Sequence, residues 1–387
     1  MVRFAPFARA KATLLGEFVL MRRVVCAMLG TALIALAATV SAQTPTPTPK
    51  LPIEQIQLRG DRFHGLSYAE MTPEQRVMLD HTVNSARAVT NTTANGPFNV
   101  LLRSPEIGDL VQQLGNSIRF SSGLSPAQRE LATLAAGRAW TSHYEWYAHA
   151  RYAADAGIPA PVVEAIAAGR APDLAALPKD EALAWRVAEE LMFTRRVTDA
   201  TYRDALAVLG EQRLASAATL AAYYELVSMT LNVDRYPLPS TAPPGTAEAL
   251  TPLPQSALYR APAGSVTARP ALPETDYGRA IESLRARLRA DGDLPADTRA
   301  MVSRAVLYQW NRVQPAEAQA YSKVAGVAHT FAEELLSTRA VSDVTFAAAR
   351  DTFGERGVVN LIVLIGISNL HCAKLALAGN ACSLDDR

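Results

Sequence analysis

The sequence predicts an all-α protein built as an internally duplicated helical bundle. Three observations lead there. Alanine is abundant and β-branched runs are short and scattered, which favours helix over strand. Helix-start signals recur along the chain, a Ser or Thr followed directly by Pro. The third is a repeat: Ala188–Tyr202 matches Ala332–Phe346 at a constant offset, and the match continues from Leu209-Gly210-Glu211 onto Phe353-Gly354-Glu355.

The elements follow in order. Thr72-Pro73-Glu74 caps and opens a helix expected to run to about Val89, and Asn91–Gly96 is a turn-rich loop. Ser104-Pro105-Glu106 opens a helix to about Phe120, and Ser125-Pro126 one through Arg138. The next helix begins at Ser142, where Ser142-x-x-Glu145 reads as a capping box, and ends at Gly157-Ile158-Pro159. A short helix over Pro161–Ala168 stops at Gly169. Lys179–Thr194 carries Leu183, Val187 and Leu191 on one stripe, and Asp199–Leu209 and Arg213–Asn232 follow. Nine prolines between Pro237 and Pro273 leave no apolar period, so that stretch is a linker or a surface-wrapping segment. Helices then resume. Residues 71–236 make a first domain, 237–273 the proline-rich linker, and 274–387 a second, degenerate domain.

Composition excludes several classes. The 387 residues suffice for two ordinary domains. Lys+Arg total 38 and Asp+Glu 37, with no basic stripe, so nucleic acid is not expected as a partner. The three cysteines form no C-x-x-C, which excludes a cysteine-rich zinc site. Met21-Arg22-Arg23, the apolar run Val24–Val40 and Val40-Ser41-Ala42 read as a signal peptide over residues 1–42, with Met21 as the start. The alternative is an uncleaved membrane anchor, because the run approaches spanning length. Cleavage makes the protein periplasmic or secreted, with no membrane attachment, behind a Pro/Thr-rich tether and lead-in at 43–70. Cys26 leaves with the leader. Cys372 and Cys382 then either pair, or stand as one buried and one free thiol.

Candidate chemistry concentrates in Thr141–Tyr152, TSHYEWYAHARY. Glu145 and His149, four apart, share a helix face. His149 is the candidate general acid or base, since its ordinary pKa lies near neutrality. Glu145 either caps its helix or holds one form of the ring. A chain break near Trp140–Ser142 lets Glu130 approach from the preceding helix. Arg138 or Arg151 is the expected anchor for an anion. Tyr144, Trp146, Phe98 and Asn232 are expected to line the pocket, with Tyr223-Tyr224-Glu225 behind them. Glu145 and His149 lack an evident third ligand, so no metal site is expected.

The duplicate is informative about these positions. Leu124–Trp140 aligns with Leu294–Trp310 and keeps Arg129/Arg299 and Trp140/Trp310. Glu130, Ser142, Glu145 and His149 fall on Ala300, Arg312, Pro315 and Gln319. The second copy keeps the packing pattern and loses the acids and bases.

These residues resemble the carboxymuconolactone decarboxylase and AhpD-like alkylhydroperoxidase superfamily over roughly Met71–Val233, with a degenerate copy over Thr275–Ala378. Its reductase branch carries a Glu, eleven residues, then C-x-x-C-x-x-x-H. Here Glu130 and His149 keep the outer positions, and Ser142 and Glu145 replace the two cysteines. Tyr144-Glu145-Trp146, Asn95-Gly96-Pro97-Phe98 and Leu102-x-Ser104-Pro105 look like the cysteine-free branch. The resemblance implies an AhpD-like helical bundle and a homo-oligomer, a trimer for a fused duplicate. It also implies cofactor-independent acid–base chemistry, decarboxylation or lactone and keto-acid conversion, on a small organic acid or lactone. Peroxide reduction needs a thiolate and a resolving thiol, which Ser142 and Glu145 cannot supply, so lyase chemistry is favoured over peroxidase. A non-catalytic periplasmic binding or assembly protein is the remaining alternative.

Overall fold

The computed structural model describes residues 51–85, 95–246, 250–258, 260–273, 275–312 and 322–384. The expected leader and most of the tether lie outside these residues, as do most of the Asn91–Gly96 loop and positions 315 and 319. The described chain is all-α, with no strand among the described residues. Its helices are α1 (Pro73–Val83), α2 (Phe98–Leu101), α3 (Pro105–Phe120), α4 (Pro126–Ala139), α5 (His143–Asp155), α6 (Ala160–Ala167) and α7 (Lys179–Thr194). They continue with α8 (Asp199–Asp234), α9 (Gln255–Leu258), α10 (Asp276–Ala290), α11 (Ala296–Asn311), α12 (Lys323–Thr338) and α13 (Asp343–Leu377).

Local chemistry sets the boundaries. Thr72 and Ser125 accept hydrogen bonds from the amides of Gln75 and Gln128, whose side chains reach back to the cap amides, and Pro73 and Pro126 open the helices behind them. α1 ends earlier than expected, at Val83, with Asn84 as its C-cap.

The core is organised around α8 and α13, which pack on each other more extensively than any other pair. Their C-terminal halves are buried along nearly their whole length. Closeness is steric: a Cβ at Gly366 would come within 2.5 Å of Leu226 Cγ. α13 is long and apolar enough to cross a membrane, but 83% of its apolar window is buried inside the protein. It is therefore read as a core helix. α4 and α7 flank α8 on one side; α11 and α12 flank α13 on the other.

Both long helices are interrupted at one glycine. Gly210 (φ 74°, ψ 170°) and Gly354 (φ 67°, ψ 175°) sit in a region open only to glycine. This accounts for the two separate helices expected over 199–232. The helices before them, α7 and α12, stop at left-handed arginines, Arg195 and Arg339. Each guanidinium reaches across the molecule: Arg195 lies 4.8 Å from the Trp310 ring, and Arg339 lies 4.5 Å from that of Trp140. Trp140 Nε1 donates to Glu225 and Trp310 Nε1 to Asn369.

The proline-rich stretch wraps rather than links loosely. Thr251 O accepts from Arg138, the Arg260 amide donates to Phe193 O, and Arg269 donates to Asp199 and Val197 O. Residues 58–66 also pack down: Phe63 is fully buried, and Asp234 Oδ1 accepts from the Asp61 and Phe63 amides. Cys372 and Cys382 are joined in a disulfide, with Cα atoms 4.8 Å apart.

Candidate active site

The turn between α4 and α5 builds the site. α4 ends at Ala139, Thr141 takes a left-handed conformation (φ 48°), and α5 starts at His143. The reversal lays α5 back along α4, so His149 meets Glu130, nineteen positions earlier. His149 Nδ1 lies 2.5 Å from Glu130 Oε2. On the other edge of the ring, Nε2 lies 3.0 Å from Glu145 Oε1, close but off the line of a hydrogen bond. All three side chains are buried.

Arg119, in the last turn of α3, completes the cluster. Its Nη2 donates to Glu130 Oε1 at 2.7 Å and its Nη1 donates to the Tyr224 hydroxyl. The order is thus Tyr224, Arg119, Glu130, His149, Glu145, with opposite charges alternating. Burial would raise the Glu130 pKa, but His149 and Arg119 beside it hold the carboxyl down at about 2. Burial would lower that of His149, but Glu130 and Glu145 on either side outweigh it, so the ring titrates above its ordinary value. With Glu130 ionised, Nδ1 carries a proton. The edges of Tyr224 and Tyr152 close the ring in, with centroids 4.9 and 5.4 Å away.

Above the cluster opens a cavity of about 540 Å3, within the roughly 300–1,000 Å3 of small-molecule sites. Glu130, Glu145 and His149 form its polar floor, and Phe98, Phe120, Tyr144 and Tyr152 are among its walls. Phe120 and Tyr152 are 42% and 51% exposed, which places them at the mouth.

Several expectations need correcting. The Ser142–Glu145 capping box does not form: Ser142 is the N-cap, but its hydroxyl makes no cap bond. Glu145 has turned to His149 instead. Arg138 does not reach the cavity, because it is buried against the proline-rich segment, donating to Thr251 O and Thr141 Oγ1. Burial pulls it down to about 10. Trp146 is buried in the core rather than lining the cavity. Asn232 is spent on the Trp140 and Arg339 carbonyls. Arg151 lies over the Tyr147 ring. Tyr223 donates to Val111 O and Glu225 pairs with Arg195, so of that triplet only Tyr224 lines the cavity.

Arg119 was missed. At a helix C-terminus an arginine reads as a partner for the helix dipole. Only its burial, through contacts across two helices, reveals another role.

The stretch that builds this site is similar to the carboxymuconolactone decarboxylase family. The profile of the Carboxymuconolactone decarboxylase family matches residues 105–190, from the start of α3 into α7. That stretch contains Arg119, Glu130, Glu145 and His149. No curated protein and no solved structure matches the chain.

Proposed function

We propose that this protein is an exported enzyme performing acid–base chemistry on a small organic acid or lactone without a cofactor. The observation that carries the reading is His149 clamped between Glu130 and Glu145 on the floor of an aromatic cavity. In its protonated form the ring is a general acid, able to deliver a proton to carbon as an enolate or carbanion collapses. Glu145 Oε1, without a hydrogen bond, is placed to take or return that proton. Arg119 and Tyr224 replace Arg138 and Arg151 as the cationic and hydroxyl groups that stabilise developing negative charge.

A thiol peroxidase reading finds no support. Ser142 and Glu145 stand where that branch has cysteines, and Cys372 and Cys382 are bonded to each other at the end of α13, away from the cavity. A pure binding role is less well supported, because the three titratable groups converge. The duplication fits the same reading. Matched bonds, such as Arg129 to Leu124 O and Arg299 to Leu294 O, support a second copy that kept its scaffold and lost its site.

The test is a screen of the protein against lactones, keto acids and hydroperoxides, with His149→Gln as control. Turnover of a lactone or keto acid is expected to fall by about 100- to 10,000-fold in the variant, at unchanged helical content. A variant that retains full turnover, or a protein active only on hydroperoxides, would sink the proposal.

A further inference from the structure

Arg119 and Arg129 both line the cavity that holds His149, but only the first is matched by a carboxylate. Arg119 uses Nη1 on Tyr224 and Nη2 on Glu130, and Glu130 gives its second oxygen to His149. Arg129 makes no ion pair among the described residues. Its Nε is enclosed, its Nη1 donates to Leu124 O at 3.0 Å, and Nη2 is left open without a partner. The guanidinium is thus held in place without being neutralised. Asp155, the remaining carboxylate on the cavity wall, is exposed at the end of α5 and does not pair with it.

The position is a poor one for an unanswered cation. Arg129 stands in the first turn of α4, at the positive end of the helix dipole, and that turn carries no acid. The Phe120 ring lies 5.9 Å from its guanidinium and 5.8 Å from that of Arg119, so two like charges share one neighbourhood. Burial, and next the Arg119 charge, hold the Arg129 pKa below the ordinary arginine value, against the opposing pull of Glu130 and Tyr224. An anion beside Nη2 offsets these charges.

We propose that Arg129 is the specificity residue of this cavity, the anchor for a substrate carboxylate that stays on the molecule through turnover. The inference rests on reading this cavity as the substrate site. Leu124 O fixes the guanidinium, and Nη2 supplies the charge-assisted bond to the carboxylate. The anchored group is a retained one, because charge on a departing carboxylate has to leave it in the transition state, and a cation fixed there opposes that. The aromatic walls take the body of the substrate, and the reacting carbon lies towards His149 and Glu145 on the floor. Neutral lactones and esters are then poor ligands beside the corresponding acids.

The probe is phenylacetate, with phenylacetamide as its uncharged counterpart. Calorimetric titration is expected to show one phenylacetate site, with the amide about tenfold weaker or worse. Arg129→Gln is expected to weaken phenylacetate to the level of the amide, and Arg129→Lys to recover part of the loss. Arg299 makes the matching bond to Leu294 O and does not line the cavity. Arg299→Gln therefore loses the same scaffold bond and is expected to leave phenylacetate affinity unchanged. Magnetic resonance of the His149 ring gives a second readout: phenylacetate is expected to raise its titration midpoint in the wild type, and not in Arg129→Gln at the same concentration. On an acid that the enzyme turns over, Arg129→Gln is expected to raise KM more than it lowers kcat. No phenylacetate binding at millimolar concentration, equal binding of the amide, unchanged affinity in Arg129→Gln, or an equal loss in Arg299→Gln would each overturn the proposal. Those failures leave the acid–base reading standing, whereas full turnover in His149→Gln sinks that reading and leaves the anchor in place.

Discussion

His149 gains its character from two carboxylates acting against burial, and that balance gives the site a pH signature. The folded ring titrates above its ordinary value of 6.5. Its pairing therefore contributes fully to stability below that pH, and the contribution is lost as pH rises through the folded value. Glu130 behaves oppositely. Held at about 2, it stabilises the fold above its ordinary 4.5, and that contribution fades as pH falls towards 2. If protonated His149 is the acid, activity declines as pH rises through the raised folded value. Glu130→Gln removes the larger counter-charge while keeping the shape. The alkaline limb is then expected to move to lower pH, and stability to drop by about 3 kcal/mol because Arg119 loses its buried partner. A pH–rate profile and a denaturant titration check the two effects. Glu130, Glu145 and His149 were legible as a trio because their spacing and the chain break between helices were both written in the sequence. Arg119 and Arg138 were not. Where a long charged side chain ends depends on which distant segment covers it, and here α8 supplied Tyr224 to one and the proline-rich wrap covered the other.

At the scale of elements, helix starts were legible at Thr72-Pro73, Ser104-Pro105 and Ser125-Pro126, since cap and first-turn proline are local effects. The cap logic failed at α5, where Glu145 faces His149 one turn along the same helix instead of reaching back to Ser142. The contrast is measurable. Ser125→Ala removes a cap bond and is expected to cost about 1 kcal/mol, whereas Ser142→Ala removes none and should leave stability nearly unchanged. Parallel urea titrations of the two variants check this. The proline-rich stretch shows a further limit of local reading: composition marks it as irregular, but whether it hangs free or wraps is decided by partners such as Asp199 and Phe193.

Across the whole molecule, the two halves interlock through exchanged arginines. Arg195 pairs with Glu225 and covers Trp310, while Arg339 covers Trp140. Each half thus lays a guanidinium over a buried tryptophan ring of the other. Arg195→Ala strands Glu225 without its cation in the core and is expected to cost about 3–5 kcal/mol, with one cooperative unfolding transition rather than two. Calorimetry distinguishes those shapes. The sequence repeat suggested two similar halves but not their mutual dependence, because each arginine covers a ring far away in the chain.

Gly210 acts as the fulcrum of a lever. Tyr224 lies fourteen residues beyond it on the same helix, an arm of about 21 Å at the usual rise per residue. A tilt of about 5° at the fulcrum sweeps the Tyr224 backbone by nearly 2 Å, on a scale where about 1 Å of misplacement can cost 100-fold in rate. No atom crowds the missing Cβ of Gly210, so alanine there acts through backbone angle alone. Gly210→Ala is expected to depress turnover from outside the cavity. Gly354→Ala, whose arm ends at Asn369 and Trp310, is expected to lower the melting temperature to a similar degree while sparing turnover. Steady-state kinetics beside thermal melts would separate reach from mere loss of stability.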